Sequence, residues 1–144
     1  MKIYLAGPLF SDSERAWLAG MKRQMEYISP DITVIWPYDL IPRDHPEAHD
    51  RRKIFELCRS HLDEVDVLVC VLDGPQVDDG TAWEIGYFYS KYANRLPVIG
   101  IRTDFRSAGE TEHSVVNAMI ECSCSKIVHS SNELLTALAH LSLA

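Results

Sequence analysis

The sequence predicts an α/β domain built around a parallel sheet. Apolar, β-rich runs alternate with helical patterns along the whole chain, which is the signature of βαβ units. The central run, Val67–Leu72, is apolar without alternation, as expected of a strand that is buried on both faces. The 144 residues are 47% hydrophobic and 24% charged, a composition typical of a folded globular domain. We therefore expect a single domain over residues 1–144.

Five strands follow one another along the chain. They span Ile3–Ala6, Ile32–Trp36, Val67–Leu72, Pro97–Ile101 and Lys126–Val128. After the first strand, Ser11–Glu14 has the form of a capping box, in which the two end residues satisfy each other's free backbone donors at a helix start. Large apolar residues then recur at helical spacing and predict one core-facing stripe, at Trp17, Met21 and Met25.

Three further helices are predicted. The second helix precedes the central strand and has an apolar face formed by Ile54, Cys58, His61, Leu62 and Val65. The third helix follows Gly80, and the last begins at another capping box, Ser130–Glu133, with a stripe at Leu134, Leu135, Leu138 and Leu141. Ligands of doubly wound sheets bind at the carboxyl ends of the strands, so the irregular stretches Pro37–His49 and Arg102–Glu112 are candidate walls of a site.

The charge of the chain argues against several classes of partner. Fourteen Lys and Arg against 21 Asp and Glu give a formal net charge of −7, and no run of basic residues concentrates the positive charge. We therefore expect neither a nucleic-acid partner nor a membrane. Apolar runs reach only about half a dozen residues, whereas a membrane helix needs roughly 20. Pro8 also interrupts the first apolar run too early for a secretory signal, so we expect a cytoplasmic protein.

The cysteines and histidines do not show the spacing of a metal site. We interpret the cysteines as small, reduced hydrophobic residues, because paired CxxC motifs are missing around Cys58, Cys70, Cys122 and Cys124. His45 and His49 have a metal-like spacing, but Pro46 between them argues for irregular surface chain. Arg102 and Arg106, after the fourth strand, could pair with local acids or contact a ligand, and the sequence leaves both alternatives open.

The strongest chemical signal is a group of acids around the predicted third helix. Asp73, Asp78 and Asp79 precede the turn at Gly80, and Glu84 follows in the helix. A position near the helix start favours ionised Glu84, as a nucleophile requires, whereas crowding by neighbouring acids raises the pKa of Asp78, as a proton donor requires. Such a pair suggests cleavage of a glycosidic bond. The alternative is that Asp78 and Asp79 cap the helix and Glu84 is a solvated acid of its first turn.

Apolar neighbours bear on these alternatives. Glu84 is surrounded in sequence by Trp83, Ile85, Tyr87 and Phe88, so its helix is expected to be largely buried, and an unpaired acid there is costly. Tyr4, in the first strand, could donate its hydroxyl to Glu84 if the first and third strands are neighbours. The alternative for Tyr4 is a plain core residue.

Three segments of the chain resemble the nucleoside 2-deoxyribosyltransferase family and occur in the family's order. The first strand and its glycine turn lie at Lys2–Phe10, an acidic helix start of the form D-x-G-x-x-x-E-x-G at Asp78–Tyr87, and an Asn-x-Met segment at Asn117–Met119. The resemblance implies a flavodoxin-like, doubly wound sheet of five parallel strands with helices on both faces. It also implies a ping-pong reaction that moves the 2-deoxyribosyl group between purine and pyrimidine bases.

The resemblance assigns roles to individual residues. Glu84 would attack C1′ of a 2′-deoxynucleoside, Tyr4 would orient Glu84, and Asp78 would hydrogen-bond the base and pass its proton. Asn117 would reach the sugar 5′-hydroxyl from a neighbouring subunit, with Met119 near Glu84, which implies a homo-oligomer. The remaining substrate-binding positions are Gly7, Phe10, Asp39, Asp79 and Gly80, with Phe10 and the Pro37–Asp39 loop lining the base pocket. The implied partners are a 2′-deoxynucleoside and a free nucleobase, and no metal or organic cofactor is implied.

One position departs from the family pattern and two other functions remain open. Cys58 stands where family members often have a carboxylate or amide that faces the base, and it could instead be core. Relatives that hydrolyse nucleoside 5′-monophosphates need a phosphate cradle after the first strand. Here that loop contains Leu9 and Phe10, which favour an uncharged 5′ end, although Arg15 lies one turn further on. A hydrolase of nucleosides or nucleotides, and a nucleotide-binding module without turnover, are the alternatives.

Overall fold

The computed structural model describes residues 1–143. Its five strands form one all-parallel sheet in the order β2-β1-β3-β4-β5, where the strands are β1 (Lys2–Ala6), β2 (Thr33–Ile35), β3 (Val67–Val71), β4 (Val98–Ile101) and β5 (Lys126–Val128). This strand order is that of the flavodoxin-like fold, so the predicted fold class is confirmed.

Helices cover both faces of the sheet. They are α1 (Asp12–Ile28), α2 (Pro37–Leu40), α3 (Arg51–Leu62), α4 (Asp79–Tyr92), α5 (Ala118–Glu121) and α6 (Ser131–Ser142), with a 3-10 turn at Pro46–His49. One face packs against α1 and α6, and the other packs against α3, α4 and α5. No helix within residues 1–143 combines the length and the apolar character that crossing a membrane requires.

Strand periodicity divides the core between these two layers. In β1, Ile3 and Leu5 face α1 and α6, whereas Tyr4 and Ala6 face the layer that contains α4. This is the two-residue alternation of a strand. All residues of β3 are buried, in agreement with the apolar run without alternation. Tyr4 therefore points from the sheet towards α4.

The two predicted capping boxes, at the starts of α1 and α6, differ in outcome. Ser11 and Glu14 form both hydrogen bonds of a capping box at the start of α1. At α6 only half of the predicted box is present, because Ser130 accepts from the Glu133 N–H but the Glu133 carboxylate accepts from the His129 N–H. The stretch Pro37–His49 is also more ordered than predicted, since it contains α2 and the 3-10 turn.

The loop after β4 is tied down by a buried arginine. The Arg102 guanidinium donates to the carbonyl oxygens of Leu72, Gly74 and Arg106, and it pairs with Asp104. Arg106 also pairs with Asp104 and holds the pKa of that carboxyl below its usual range. Both arginines therefore pair locally, which resolves the alternatives that the sequence left open.

Candidate functional site

A cavity of about 380 Å³ opens at the carboxyl end of β1. Its walls come from the loop after β1, from α2 and the chain that follows it, from α3, and from the start of α4. Most of the lining is apolar, and the side chains that bring charge or hydrogen-bonding groups are Arg15, Tyr38, Arg43, Cys58, Asp78, Thr81 and Glu84. A mostly apolar cavity with a few convergent polar groups is typical of a small-molecule site.

Glu84 of α4 and Tyr4 of β1 meet beside this cavity. The Tyr4 hydroxyl donates to Glu84 Oε1 at 2.6 Å, and Tyr4 itself is fully buried. The bond exists because β1 pairs directly with β3 and α4 packs above them. The predicted contact between Tyr4 and Glu84 is confirmed. Glu84 therefore has one carboxylate oxygen held by the core, and Glu84 also lines the cavity.

The protonation of this pair differs from the sequence-based expectation. Burial raises the pKa of Glu84 to about 7; the hydrogen bond from Tyr4 lowers this pKa, and the nearby Asp78 carboxylate raises it. The expectation that the helix start favours ionised Glu84 is wrong for this structure. Glu84 lies beyond the first turn of α4, where the dipole effect has faded, so the cost of desolvation dominates. Burial and the adjacent Glu84 also raise the pKa of Tyr4, so its hydroxyl keeps its proton.

Asp78 is both a helix cap and part of the cavity wall. Its carboxylate accepts from the Thr81 N–H at 3.0 Å and from the Thr81 hydroxyl at 3.1 Å, which makes it the N-cap of α4. Gly80 lines the same wall, whereas Asp79, the first residue of α4, lies outside the cavity lining. The capping alternative is therefore correct for Asp78, and it is compatible with a place beside the ligand.

The loop after β1 forms the opposite wall through Gly7 and Phe10. A Cβ added at Gly7 would lie 3.1 Å from the Val71 side chain and 3.2 Å from that of Leu18. The close approach of this loop to β3 and α1 therefore favours glycine, because a Cβ here would press on both side chains. Phe10 is largely exposed and stands at the cavity wall.

Other predicted residues lie away from the cavity. Pro37 and Tyr38 line it, but the Asp39 carboxylate turns to Lys22 of α1, with an ion pair of 2.7 Å, and belongs to a neighbouring surface depression. Asn117 donates to Glu110 at 2.6 Å and caps α5 by accepting from the Met119 N–H. Both Asn117 and Met119 lie outside the lining of the cavity.

The structure places Cys58 in the cavity wall, next to the Tyr4–Glu84 pair. It lies near the Tyr4 hydroxyl. Burial and the adjacent Glu84 raise the pKa of the Cys58 thiol, and the nearby Tyr4 hydroxyl lowers it. Cys58 is thus neither a plain core residue nor a remote one, because it shares the surroundings of Glu84.

Some cavity residues were not predicted as part of the site. Ile54 and Leu57 line the cavity, although the sequence predicted only a helix at these positions. Arg43, by contrast, belongs to the stretch Pro37–His49 that was predicted as a candidate wall, and this prediction is confirmed. The Arg15 guanidinium also lies at the cavity, where it donates to the carbonyl oxygens of Leu9 and Phe10 and pairs with Asp12. Side chains that close a cavity from a neighbouring loop leave no local pattern in the sequence.

A second cavity of about 270 Å³ reaches Glu84 from the groove between α3 and α4. Its rim contains Trp83 and Phe55, which contact each other edge to face and are 46% and 48% exposed. The expectation that the surroundings of Glu84 on α4 are buried is therefore correct for Ile85 and Phe88 but wrong for Trp83. Glu84 consequently lies between two openings.

Within positions 1–143, no group of three or more His, Cys, Asp or Glu side chains could hold a metal ion. His45 instead caps the 3-10 turn by accepting from the Glu47 N–H at 3.1 Å.

Comparison with protein families gives one match that spans most of the chain. The family model described as "Nucleoside 2-deoxyribosyltransferase" matches residues 3–119. Comparison with curated proteins gives no match.

Solved structures with the same fold cover nearly the whole chain. A conserved protein from Enterococcus faecalis V583 is 27% identical, with a TM-score of 0.77 over 96% of this chain and 97% of its own. A 2-deoxyribosyltransferase from Bacillus psychrosaccharolyticus is 22% identical, with a TM-score of 0.74 over 96% of both chains. A 2-deoxyribosyltransferase from Leishmania mexicana is 18% identical, with a TM-score of 0.70 over 96% of this chain and 97% of its own.

Proposed function

The chain belongs to the nucleoside 2-deoxyribosyltransferase family, and from that premise we propose that it transfers the 2-deoxyribosyl group between nucleobases through a covalent intermediate on Glu84. The observation that carries this proposal is the Tyr4 hydroxyl held 2.6 Å from Glu84 Oε1 beside a cavity of about 380 Å³. A carboxylate with one oxygen fixed and the other available is arranged for nucleophilic attack.

In the first half-reaction, Glu84 Oε2 forms a bond to C1′ of the 2′-deoxynucleoside. The N-glycosidic bond breaks, and its electron pair leaves with the base, which takes up a proton. Asp78 is the proposed carrier of that proton, because it lies in the cavity wall close enough to Glu84 to raise its pKa. Tyr4 keeps Glu84 oriented and stabilises its ionised form, which is the form that attacks.

In the second half-reaction, a nitrogen of another base attacks C1′ on the face that the first base left. The C1′–Glu84 bond breaks and its electrons return to the carboxylate, while the incoming base gives its proton to Asp78. Two inversions at C1′ leave the glycosidic configuration unchanged. The reaction consumes no cofactor, since every bond made is balanced by a bond broken.

The apolar lining suggests how a base is held. Phe10 and Tyr38 offer aromatic rings and Leu9 an aliphatic surface at the cavity, so we propose that stacking and shape dominate base binding. Asp39 is engaged with Lys22, and an edge contact from Asp39 requires that ion pair to open. The Arg15 guanidinium donates to local carbonyl oxygens and pairs with Asp12. Because these partners occupy the guanidinium, we favour a nucleoside over a 5′-monophosphate as the substrate.

We also propose that the active form is a homo-oligomer in which a neighbouring subunit supplies Asn117 and Met119. Both residues lie outside the cavity of their own subunit, and Met119 is 80% exposed. The exposed aromatic rim formed by Phe55 and Trp83 is consistent with a subunit contact on this flank. The four cysteines are free thiols, which suits a cytoplasmic enzyme of nucleoside salvage.

Hydrolysis is the second candidate function, and one observation favours it. The cavity between α3 and α4 gives water a route to Glu84 in the single chain. If that route stays open, water rather than a base could accept the sugar.

Product analysis tests the proposal directly. The protein is incubated with deoxyinosine or thymidine, with and without adenine, and the products are separated by chromatography, with Glu84→Ala as the control. We expect deoxyadenosine only when adenine and intact Glu84 are both present. Free base and deoxyribose formed independently of adenine would establish hydrolysis. Absence of turnover, with deoxynucleoside monophosphates as well, would support a binding module.

A further inference from the structure

Arg43 brings a free positive charge to the cavity at the end of β1. Its side chain lines this cavity and also borders a surface depression next to it. The Arg43 guanidinium makes no hydrogen bond and no ion pair with residues 1–143, and Asp39, on the same depression, is paired with Lys22. An arginine at a mostly apolar cavity whose donors are all free is available to a ligand.

The other polar side chains of the cavity are engaged or do not discriminate between ligands. Arg15 donates to two carbonyl oxygens of the loop after β1, and the Thr81 hydroxyl donates to Asp78. The Tyr38 hydroxyl can donate or accept, and a cysteine thiol is only a weak donor. Arg43 is therefore the strong donor side chain that the cavity leaves for a substrate.

The chain around Arg43 is anchored on both sides. Arg43 lies in a turn that is closed by a hydrogen bond of 2.9 Å from the His45 N–H to the Pro42 carbonyl oxygen. Before this turn, α2 is tied to α1 by an ion pair. After it, Glu47 pairs with Lys53 of α3 at 3.3 Å. The turn therefore presents Arg43 at the cavity wall from a fixed backbone.

The proposed reaction decides which part of a substrate reaches Arg43. C1′ lies at Glu84 of α4, and the base is bonded to C1′. Tyr38 of α2, on which we propose that the base stacks, and Arg43 belong to one continuous wall of the cavity. Arg43 consequently meets the edge of the base that is remote from the glycosidic bond.

The surroundings of Arg43 fit a neutral acceptor better than a phosphate. Asp78 and Glu84 bring two carboxylates to the same cavity, and a phosphate needs several donors around it. A carbonyl oxygen needs only one or two donors, which a single guanidinium supplies. The sequence neighbours of Arg43 that line the cavity are apolar, namely Leu40, Ile41 and Ala48.

We propose that Arg43 is a specificity-determining residue, whose guanidinium donates to the exocyclic carbonyl oxygen of a 6-oxopurine. A guanidinium has only donors, and a 6-aminopurine presents another donor at this position, so the two would repel. The cavity should therefore favour hypoxanthine and guanine over adenine. Adenine remains a weaker substrate, because stacking and shape are unchanged. The inference rests on the proposed function, since it requires a nucleobase in this cavity.

The experiment compares Arg43→Met, which removes the donors, with Arg43→Lys, which keeps the charge but loses the planar fork. Arg23→Met is the matched control, because Arg23 is an exposed arginine of α1 outside the cavity lining. With thymidine as the sugar donor, kcat/KM is measured for hypoxanthine and for adenine as acceptors at one pH. The ratio of the two values is compared between proteins, so the intrinsic reactivity of each base and any general change at Glu84 cancel.

We expect Arg43→Met to reduce the preference for hypoxanthine over adenine about 10-fold, through loss of the contact with hypoxanthine. Arg43→Lys should reduce it about twofold to threefold, and Arg23→Met should leave it unchanged. An unchanged ratio in Arg43→Met, or an equal loss with both bases, would overturn the proposal.

Binding separates this inference from the proposed function. In Glu84→Gln, calorimetry measures the Kd of deoxyinosine, deoxyadenosine and their 5′-monophosphates, with and without Arg43→Met. Arg43→Met should weaken deoxyinosine and its monophosphate about 10-fold each and leave both adenine compounds nearly unchanged. A loss confined to the monophosphates would assign Arg43 to a phosphate and overturn the proposal, as would absence of binding of either nucleoside. If the native protein shows no transfer, the proposed function fails, but these Kd values still decide the role of Arg43.

Discussion

Glu84 and Asn117 are polar side chains at two helices, and they depend on the core of the chain to very different degrees. Glu84 is partly buried and hydrogen-bonded to Tyr4, which comes from another element and lies far away in sequence. Asn117 is exposed and bonds only to nearby residues, Glu110 and Met119. One chain thus positions the proposed nucleophile. In our proposal, the contact to the sugar 5′-hydroxyl comes from a second chain.

Removal of the Glu84 carboxylate should have the largest effect. We expect Glu84→Gln to reduce base exchange by about a thousandfold or more, because the amide cannot form the glycosyl-enzyme. The rate of deoxyadenosine formation measures this loss. Glu112→Gln is the matched control, since Glu112 is an exposed acid next to His113. Equal rates in Glu84→Gln and the native protein would remove Glu84 from the reaction.

Burial of Glu84 should also appear in stability. The pKa of Glu84 is about 7 in the folded chain and 4.5 in the ordinary, solvated state. The folded state therefore binds more protons between these values, so its stability falls as pH rises from about 4.5 to about 7. The loss is at most about 3 kcal/mol.

Urea unfolding at several pH values measures this effect. Glu84→Gln should remove the fall in the free energy of unfolding over that window, whereas Glu112→Gln should retain it. The same pH dependence in the native protein and in Glu84→Gln would show that another group is responsible.

A smaller effect is expected at Tyr4. Its hydrogen bond lowers the pKa of Glu84, so Tyr4→Phe should raise that pKa further and leave less of the attacking carboxylate at neutral pH. We expect kcat/KM to fall about 10-fold to 100-fold near pH 7 and to recover partly above about pH 8. The pH profile of base exchange tests this, with the exposed Tyr27→Phe as the control. A loss that is constant across pH would indicate a role in packing instead.

The same contrast explains what could be predicted from sequence. The parallel sheet follows from the order of apolar runs, and the contact between Tyr4 and Glu84 follows once β1 and β3 are neighbours. The pKa of Glu84 could not be predicted in the same way. Nearness to the helix start predicts an ionised Glu84, but the pKa is set mainly by burial, which depends on residues that arrive from β1 and α3.

The direction of side chains in α2 could not be predicted from the sequence either. Tyr38 and Asp39 are adjacent in sequence, yet Tyr38 lines the cavity and Asp39 pairs with Lys22 of α1. Cys58 could be identified as unusual only through the family resemblance. Its place in the cavity wall beside Glu84 depends on how α3 packs against α4, which no local pattern determines.

The dependence of Asn117 on a second chain can be tested by subunit mixing. We expect Asn117→Ala alone to lower kcat/KM about 10-fold, through loss of one hydrogen bond to the sugar. The variant is then co-expressed with Glu84→Gln under a different affinity tag, and the mixed oligomer is purified through both tags. In each pair, one site has its own Glu84 and receives Asn117 from the other subunit, whereas the other site lacks both.

In a dimer, the mixed protein should therefore regain about half of the native activity per pair, well above the mean of the two parents. This recovery cannot arise if Asn117 serves the cavity of its own subunit, because every site would then carry one of the two substitutions. Activity equal to the mean of the parents would thus assign Asn117 to its own chain or remove it from the site. Recovery would show that the exposed half of the site is completed only by assembly.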